Sequence, residues 1–140
     1  MALSFDLFLD SALTLPLSAP LTFYPTDDNP TPADKVLWFG SPIAGTKCQA
    51  KSAPGVDQIE LSITDSASAS GEPTSAVKLA PTQSLLDTAT GGAALNLGVT
   101  INSGAANAVP VWVRFTDATG TFGNYDDLGW TFNKLFESAQ

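Results

Sequence analysis

General acid–base work near neutral pH falls most often to histidine, and this chain contains none. Ser-His-Asp and Cys-His constellations are thereby excluded, because no imidazole exists to take the proton. The single cysteine, Cys48, occupies an alternating position in the strand-like run Lys47-Cys48-Gln49-Ala50-Lys51, where a buried and inert thiol is expected. Asp117, Asp126 and Asp127 are near enough in sequence to meet at one end of a β domain, where a carboxylate pair hydrolyses a glycoside or a trio ligates calcium. Asp117 also opens the turn Asp117-Ala118-Thr119-Gly120, and Asp126-Asp127 precede an alternating run, so solvated turn residues are the expectation. No D-x-D-x-D-G loop is present, and Gly91-Gly92 has neither the Lys-Ser/Thr of a phosphate loop nor dinucleotide-fingerprint spacing. The expectation is a protein that is not an enzyme and carries no cofactor and no metal. What remains are aromatic groups able to stack on sugars or anchor an interface: Trp112, Tyr125 and Trp130. Trp130 is assigned to the core. Trp112, on the opposite side of its strand from Val109, Val111, Val113 and Phe115, is an interface candidate together with Tyr125.

These residues have to be positioned by a chain of 140 residues, the size of one ordinary domain. Apolar residues make up 44%, as in other globular proteins, whereas charged residues at 14% fall well below the usual quarter. Small neutral side chains therefore dominate the surface. Six Lys and Arg against 14 Asp and Glu give a net charge of -8, which repels phosphate backbones and argues against nucleic-acid binding. One cysteine forms no internal disulfide, and no Cys/His spacing suits zinc. The N-terminal apolar stretch lacks a basic flank and is interrupted by Asp6 and Asp10, so no secretory signal is expected; no window reads as a membrane span.

Residues 1–34 differ in style from the rest. Pro16, Pro20, Pro25, Pro30 and Pro32 recur among Leu and Phe, each removing a backbone donor and favouring extended chain, so the segment reads as an extended N-terminal arm. Leu13-Thr14-Leu15 and Leu21-Thr22-Phe23 are candidate short edge strands. Phe5, Leu7, Phe8, Leu9, Leu13, Leu15, Leu17, Phe23 and Tyr24 are too apolar for a free tail and must pack on something. Two readings stay open: the arm folds back over its own domain, or it reaches across a neighbouring subunit and orders there. Asp27-Asp28-Asn29-Pro30 reads as the linker, and the boundary falls near Asp34.

From 35 to 140 short apolar runs alternate with turn signals, as in a sandwich or barrel. Ile59, Leu61 and Ile63 share one face of a period-2 strand whose other face carries Glu60, Ser62 and Thr64. Val36–Phe39, Lys47–Lys51, Val77–Leu79, Leu95–Ile101, Val109–Phe115 and Leu128–Phe132 read as further strands. Asp65–Ser75 reads as an exposed loop, and Ser84–Thr88 as the one helical turn. The fold expected is all-β: an immunoglobulin-like antiparallel sandwich of about seven strands behind the Pro-rich arm.

Thr90-Gly91-Gly92-Ala93-Ala94-Leu95-Asn96-Leu97-Gly98, the strand Val111-Trp112-Val113-Arg114-Phe115-Thr116-Asp117 and the turn Gly123-Asn124-Tyr125 resemble a group of tailed-bacteriophage virion structural proteins over residues 88–132. In these a G-x-x-L-x-L-G strand is followed by a V-W/Y-V-R strand, a Gly-Asn-Tyr-like turn and a final Leu-containing strand. The resemblance implies a part of the virus particle without an active site. Small acidic members with an apolar arm are similar to capsid decoration (cement) proteins, which bind the shell and brace its capsomers through protein–protein contacts. On that basis the expected partners are the major capsid protein or other virion proteins and further copies of the chain in a homo-oligomer such as a trimer. Nucleic acid and membrane are not expected partners. The expected location is the virion, assembled in the host cytoplasm. The alternative is a tail-tip or adhesin-type module reading host-surface glycans through Trp112, Tyr125 and the Asp117, Asp126 and Asp127 end. A small glycosidase ranks last.

Overall fold

The computed structural model describes residues 3–17, 33–65, 74–115 and 128–140, without the side chains of Ala33 and Leu128. The described chain forms ten strands: β1 Asp6–Phe8, β2 Ala33–Gly40, β3 Thr46–Ala50, β4 Ile59–Asp65, β5 Val77–Ala80, β6 Leu95–Gly98, β7 Thr100–Asn102, β8 Val109–Phe115, β9 Leu128–Phe132 and β10 Leu135–Ala139. Among the described residues the only helical structure is three 3-10 turns, at Thr74–Ala76, Ser84–Asp87 and Ala105–Asn107. The protein is all-β. Every strand pairing is antiparallel, in a four-stranded sheet ordered β1-β2-β8-β5 and two three-stranded sheets ordered β10-β3-β7 and β6-β4-β9.

The long β2–β8 ladder runs from Ala33↔Phe115 to Phe39↔Val109. Its period-2 pattern turns Leu37, Phe39, Val111 and Val113 inward to complete burial. Pro110 of β8 lies beyond the last β5 partner, Ala80↔Trp112, so no third strand waits there for the N–H that proline lacks. Ile59 and Leu61 of β4 and Cys48 of β3 enter the same core, with Ile63, Trp130, Phe132 and Leu135 packed against it. Phe39 sits between two rings, its centroid 5.9 Å from Phe5 and 5.0 Å from Phe132. One continuous cluster thus joins all three sheets, and each fully buried large side chain in it contributes about 1.5–3 kcal/mol.

The structure departs from the sequence expectations in local ways. Leu95–Ile101 is not one strand: Gly98, with φ of 132°, breaks the run, leaving β6 beside β4 and sending β7 to β3. Alternation of Leu95, Leu97, Val99 and Ile101 cannot reveal such a break, because apolar residues continue through it. Leu13-Thr14-Leu15 is a turn instead of an edge strand, for a reason given below. Ser84–Thr88 does turn, as the 3-10 segment Ser84–Asp87 with Leu86 fully buried. β10 had no sequence signal beyond Leu135 and Phe136. Asn133 fixes the approach to β10: its side chain accepts from the Glu60 N–H at 2.9 Å and donates to the Gln58 carbonyl at 2.9 Å.

Candidate interaction surface

β1 begins in residues read as an arm, and here it is the edge strand of the four-stranded sheet, paired as Asp6↔Gly40, Leu7↔Phe39 and Phe8↔Trp38. Phe5, Leu7, Phe8 and Leu13 are buried within this chain, and Leu17 is partly buried against the same core. The segment then doubles back. Leu17 N–H donates to the Leu7 carbonyl at 3.0 Å, Phe8 bridges Pro16, and Leu9 N–H donates to the Leu15 carbonyl at 2.8 Å.

The reversal is organised by Asp10. One carboxylate oxygen accepts the Thr14 and Leu15 N–H groups, each at 2.9 Å, and the other accepts the Thr14 hydroxyl. Asp side chains that capture nearby amides compete with sheet ladders, which is why a turn forms where alternation suggested a strand. The Thr14 hydroxyl, with the Leu15 and Thr14 amides, holds the Asp10 carboxyl below its ordinary pKa. Leu13 takes φ of 57° to close the turn and places its side chain in the core. Leu9 and Leu15, directly opposed, remain 47% and 57% exposed. They form an apolar pair at the tip of an otherwise well-anchored hairpin.

A second apolar surface is the outer face of the four-stranded sheet. Trp112 faces Val36 across the ladder on one side and Ala80 on the other, and Trp38 faces Pro110. Val36, Trp38, Pro110 and Trp112 are partly buried. At the far end of this face the Arg114 guanidinium grips Asp34 bidentately, at 2.7 and 3.0 Å, and donates to Asp87 at 2.7 Å. Gln83 donates to Asp34 at 3.2 Å. Arg114 holds the Asp34 carboxyl below its usual value, against the smaller opposing effect of burial, and Asp34 in turn raises the pKa of Arg114. This cluster, spread over β2, β8 and the 3-10 turn at Ser84–Asp87, has little signal in the sequence, which puts Arg114 in an alternating run and Asp34 at the boundary between arm and domain.

A third polar arrangement links distant parts of the chain. Ser4 N–H and hydroxyl donate to the two oxygens of Glu137 at 2.7 and 2.8 Å. The Ser4 and Ser41 hydroxyls lie 2.5 Å apart, and Ser41 accepts the Ile43 N–H at 3.1 Å. With Ser4 donating to Glu137, Ser41 is the donor to Ser4. Burial opposes the charge on Glu137, but the Ser4 amide and hydroxyl, with a smaller contribution from Thr46, together outweigh it and the pKa falls below its ordinary value. A Ser-Ser-Glu chain has the outline of a nucleophile relay, but Ser41 is fully buried and no imidazole completes it.

Cys48 is fully buried beside this group, and burial, followed by the Glu137 charge, pushes its thiol up to about 12. It is an inert core residue. Gly91 also has a structural role: a Cβ there would lie 2.1 Å from the Ser75 carbonyl oxygen, so the backbones touch where a side chain would intrude. Among the described residues no three of His, Cys, Asp and Glu come together as a metal-ligand group. Phe23, Tyr24, Asp117, Tyr125, Asp126 and Asp127 lie outside the described residues. The structure therefore brings Trp112 to an apolar face and Leu9 to Leu15, turns Phe5 and Leu7 into the shared core, and buries Phe8, on the Trp38 side of the sheet, and Leu13 within this chain. Compared with protein-family models, with curated proteins and with solved structures, the chain gives no match in any of the three.

Proposed function

We propose that the protein is a structural component of a phage particle, a capsid decoration or cement protein that stabilises the shell through protein–protein contacts. The observation that carries this reading is the Leu9–Leu15 pair: two exposed leucines at opposed positions of a hairpin whose Phe5, Leu7, Phe8 and Leu13 are buried. Exposed apolar groups on a rigid support suit docking, because little conformational entropy is lost when they are covered. The outer-face group around Trp112 supports a second contact of the same kind. A net charge of -8 keeps such a protein off packaged nucleic acid. The major capsid protein is the partner in this reading, further copies of the chain form a homo-oligomer, and the virion is the location. The finer architecture, an immunoglobulin-like sandwich, belongs to the same proposal and is supported by antiparallel sheets sharing one core.

The test is co-sedimentation of the protein with expanded, undecorated phage shells. Saturable binding at a copy number matching a symmetry axis of the shell is expected, together with its loss in Leu9→Ser/Leu15→Ser. Absence of binding by the unaltered protein would overturn the reading. A tail-tip or adhesin module is the second reading, favoured by one observation: Trp112 lies on an apolar face that ends in the hydrogen-bonding groups of Arg114, Asp34 and Gln83, a pairing of platform and polar rim that suits a sugar ring. A glycan array without signal would remove it.

A further inference from the structure

We propose that residues 3–17 exchange between copies of this chain, the segment of one copy seating on the β2 edge and the Ser41–Glu137 pair of another. The inference deepens the docking role above by naming a second copy as one partner of the segment.

The seat is built wholly from residues that follow the segment in sequence. The Gly40 end of β2 supplies the ladder for Asp6, Leu7 and Phe8. Phe39 supplies the ring against which Phe5 packs. Leu13 reaches the bare backbone of Gly40, its Cδ1 only 3.0 Å from the place a Cβ would occupy. Ser41, after β2, and Glu137, in β10, take the hydroxyl and amide of Ser4. None of these contacts depends on the incoming segment belonging to the same chain. Exchanged and closed forms thus share one set of contacts, and their balance is set by chain entropy and protein concentration.

Phe5, Leu7, Phe8 and Leu13 are buried, so the segment changes its seat when chains unfold and refold together and not by leaving the folded body. β1 has three ladder positions, at an edge of the sheet, and the hairpin that follows is closed by its own bonds: Asp10 to Thr14 and Leu15, Leu9 to Leu15, and Leu17 to Leu7. These bonds lie within the segment and are the same whichever copy it seats on. Residues 18–32 join the segment to β2, and at about 3.3–3.6 Å per residue they span up to roughly 50 Å. The eight residues of β2 cover only about 26 Å. The length of the covalent connection therefore does not confine the segment to the β2 edge of its own chain.

The pair of touching serine hydroxyls provides the test, because Ser→Cys changes little in size. Chains carrying Ser4→Cys alone are mixed with chains carrying Ser41→Cys alone, unfolded and refolded together over a range of concentrations, and oxidised. Cys48, buried and with its thiol pushed up to about 12, does not compete. The expected result is a disulfide-linked dimer on a non-reducing gel, its yield rising with concentration and its digest containing a peptide that joins position 4 of one chain to position 41 of the other. The double variant Ser4→Cys/Ser41→Cys, oxidised at high dilution, is expected to close within one chain. Closure of the double variant without any cross-chain 4–41 peptide at any concentration would overturn exchange, and failure of the double variant to close would overturn the seat. No shell enters the experiment, so its failure is distinct from failure to co-sediment.

Discussion

The two faces of the four-stranded sheet are made of alternate residues from the same strands, yet they meet opposite conditions. Inward, Leu37, Phe39, Val111 and Val113 are fully buried in a core shared with both other sheets. Outward, Val36, Trp38, Pro110 and Trp112 are only partly covered, and the face turns polar where Arg114 meets Asp34. A sheet packed on one side usually shows polar residues on the other. Here the second face is apolar over most of its length. The inner face holds the fold, whereas the outer one has buried side chains only at Phe8 and Ala80 and leaves its other large side chains partly open to solvent.

Phe39→Ala breaks the comparison from its inner side and should have the largest effect, a loss of about 3–5 kcal/mol read from the urea unfolding midpoint. A smaller value would mean that Phe5 and Phe132 close the space left between them. Arg114→Met comes next. It strands Asp34, whose side chain is 14% exposed, and should cost about 1–3 kcal/mol, whereas Asp87→Asn, at a 70% exposed side chain, should cost no more than about 1 kcal/mol. Equal costs would put the strength of the cluster in the wrong carboxylate. Trp112→Ser should lower stability by about 1–2 kcal/mol, as expected of a large side chain that is mostly but not fully removed from water, and less than Phe39→Ala in the same urea series.

Asp34 and Glu137 add a pH test. Both have folded-state values below their ordinary ones, so their contributions are complete above the unfolded carboxylate value of about 4 and are lost as pH falls through the lowered folded-state values. Thermal melts across that range should fall less steeply for Asp34→Asn and Glu137→Gln than for the unaltered chain. Parallel curves would remove both groups from the acid response. Leu9→Ser/Leu15→Ser should have the smallest effect on stability, within about 0.5 kcal/mol by thermal melt, while abolishing shell binding.

Much of the body was readable because period-2 alternation is a direct record of burial: Ile59 and Leu61, and Val111 and Val113, each point where their spacing says. Cys48 was readable for the same reason. The hairpin was harder, since Leu13 looks like any strand leucine until the Asp10 carboxylate is seen taking the amides of Thr14 and Leu15. The polar clusters were beyond reach. Ser4 and Glu137 stand at opposite ends of the sequence, and Asp34 and Arg114 become partners only through the register of β2 on β8. Non-local register of this kind leaves no trace in composition or local spacing. Of the interface candidates, the sequence supplied apolar type, and only burial separated Leu9 and Leu15 from Leu7 and Leu13.

The bond between Ser4 and Glu137 also has a consequence for genetic engineering. Because these residues touch, chain leading into Ser4 and chain leading out of Glu137 pass the same spot on the body. A short linker can join them into a circular permutant opened at Ala53-Pro54-Gly55, a turn between β3 and β4. The same geometry lets the whole unit be spliced into a surface loop of another protein, entering and leaving through a single narrow gap.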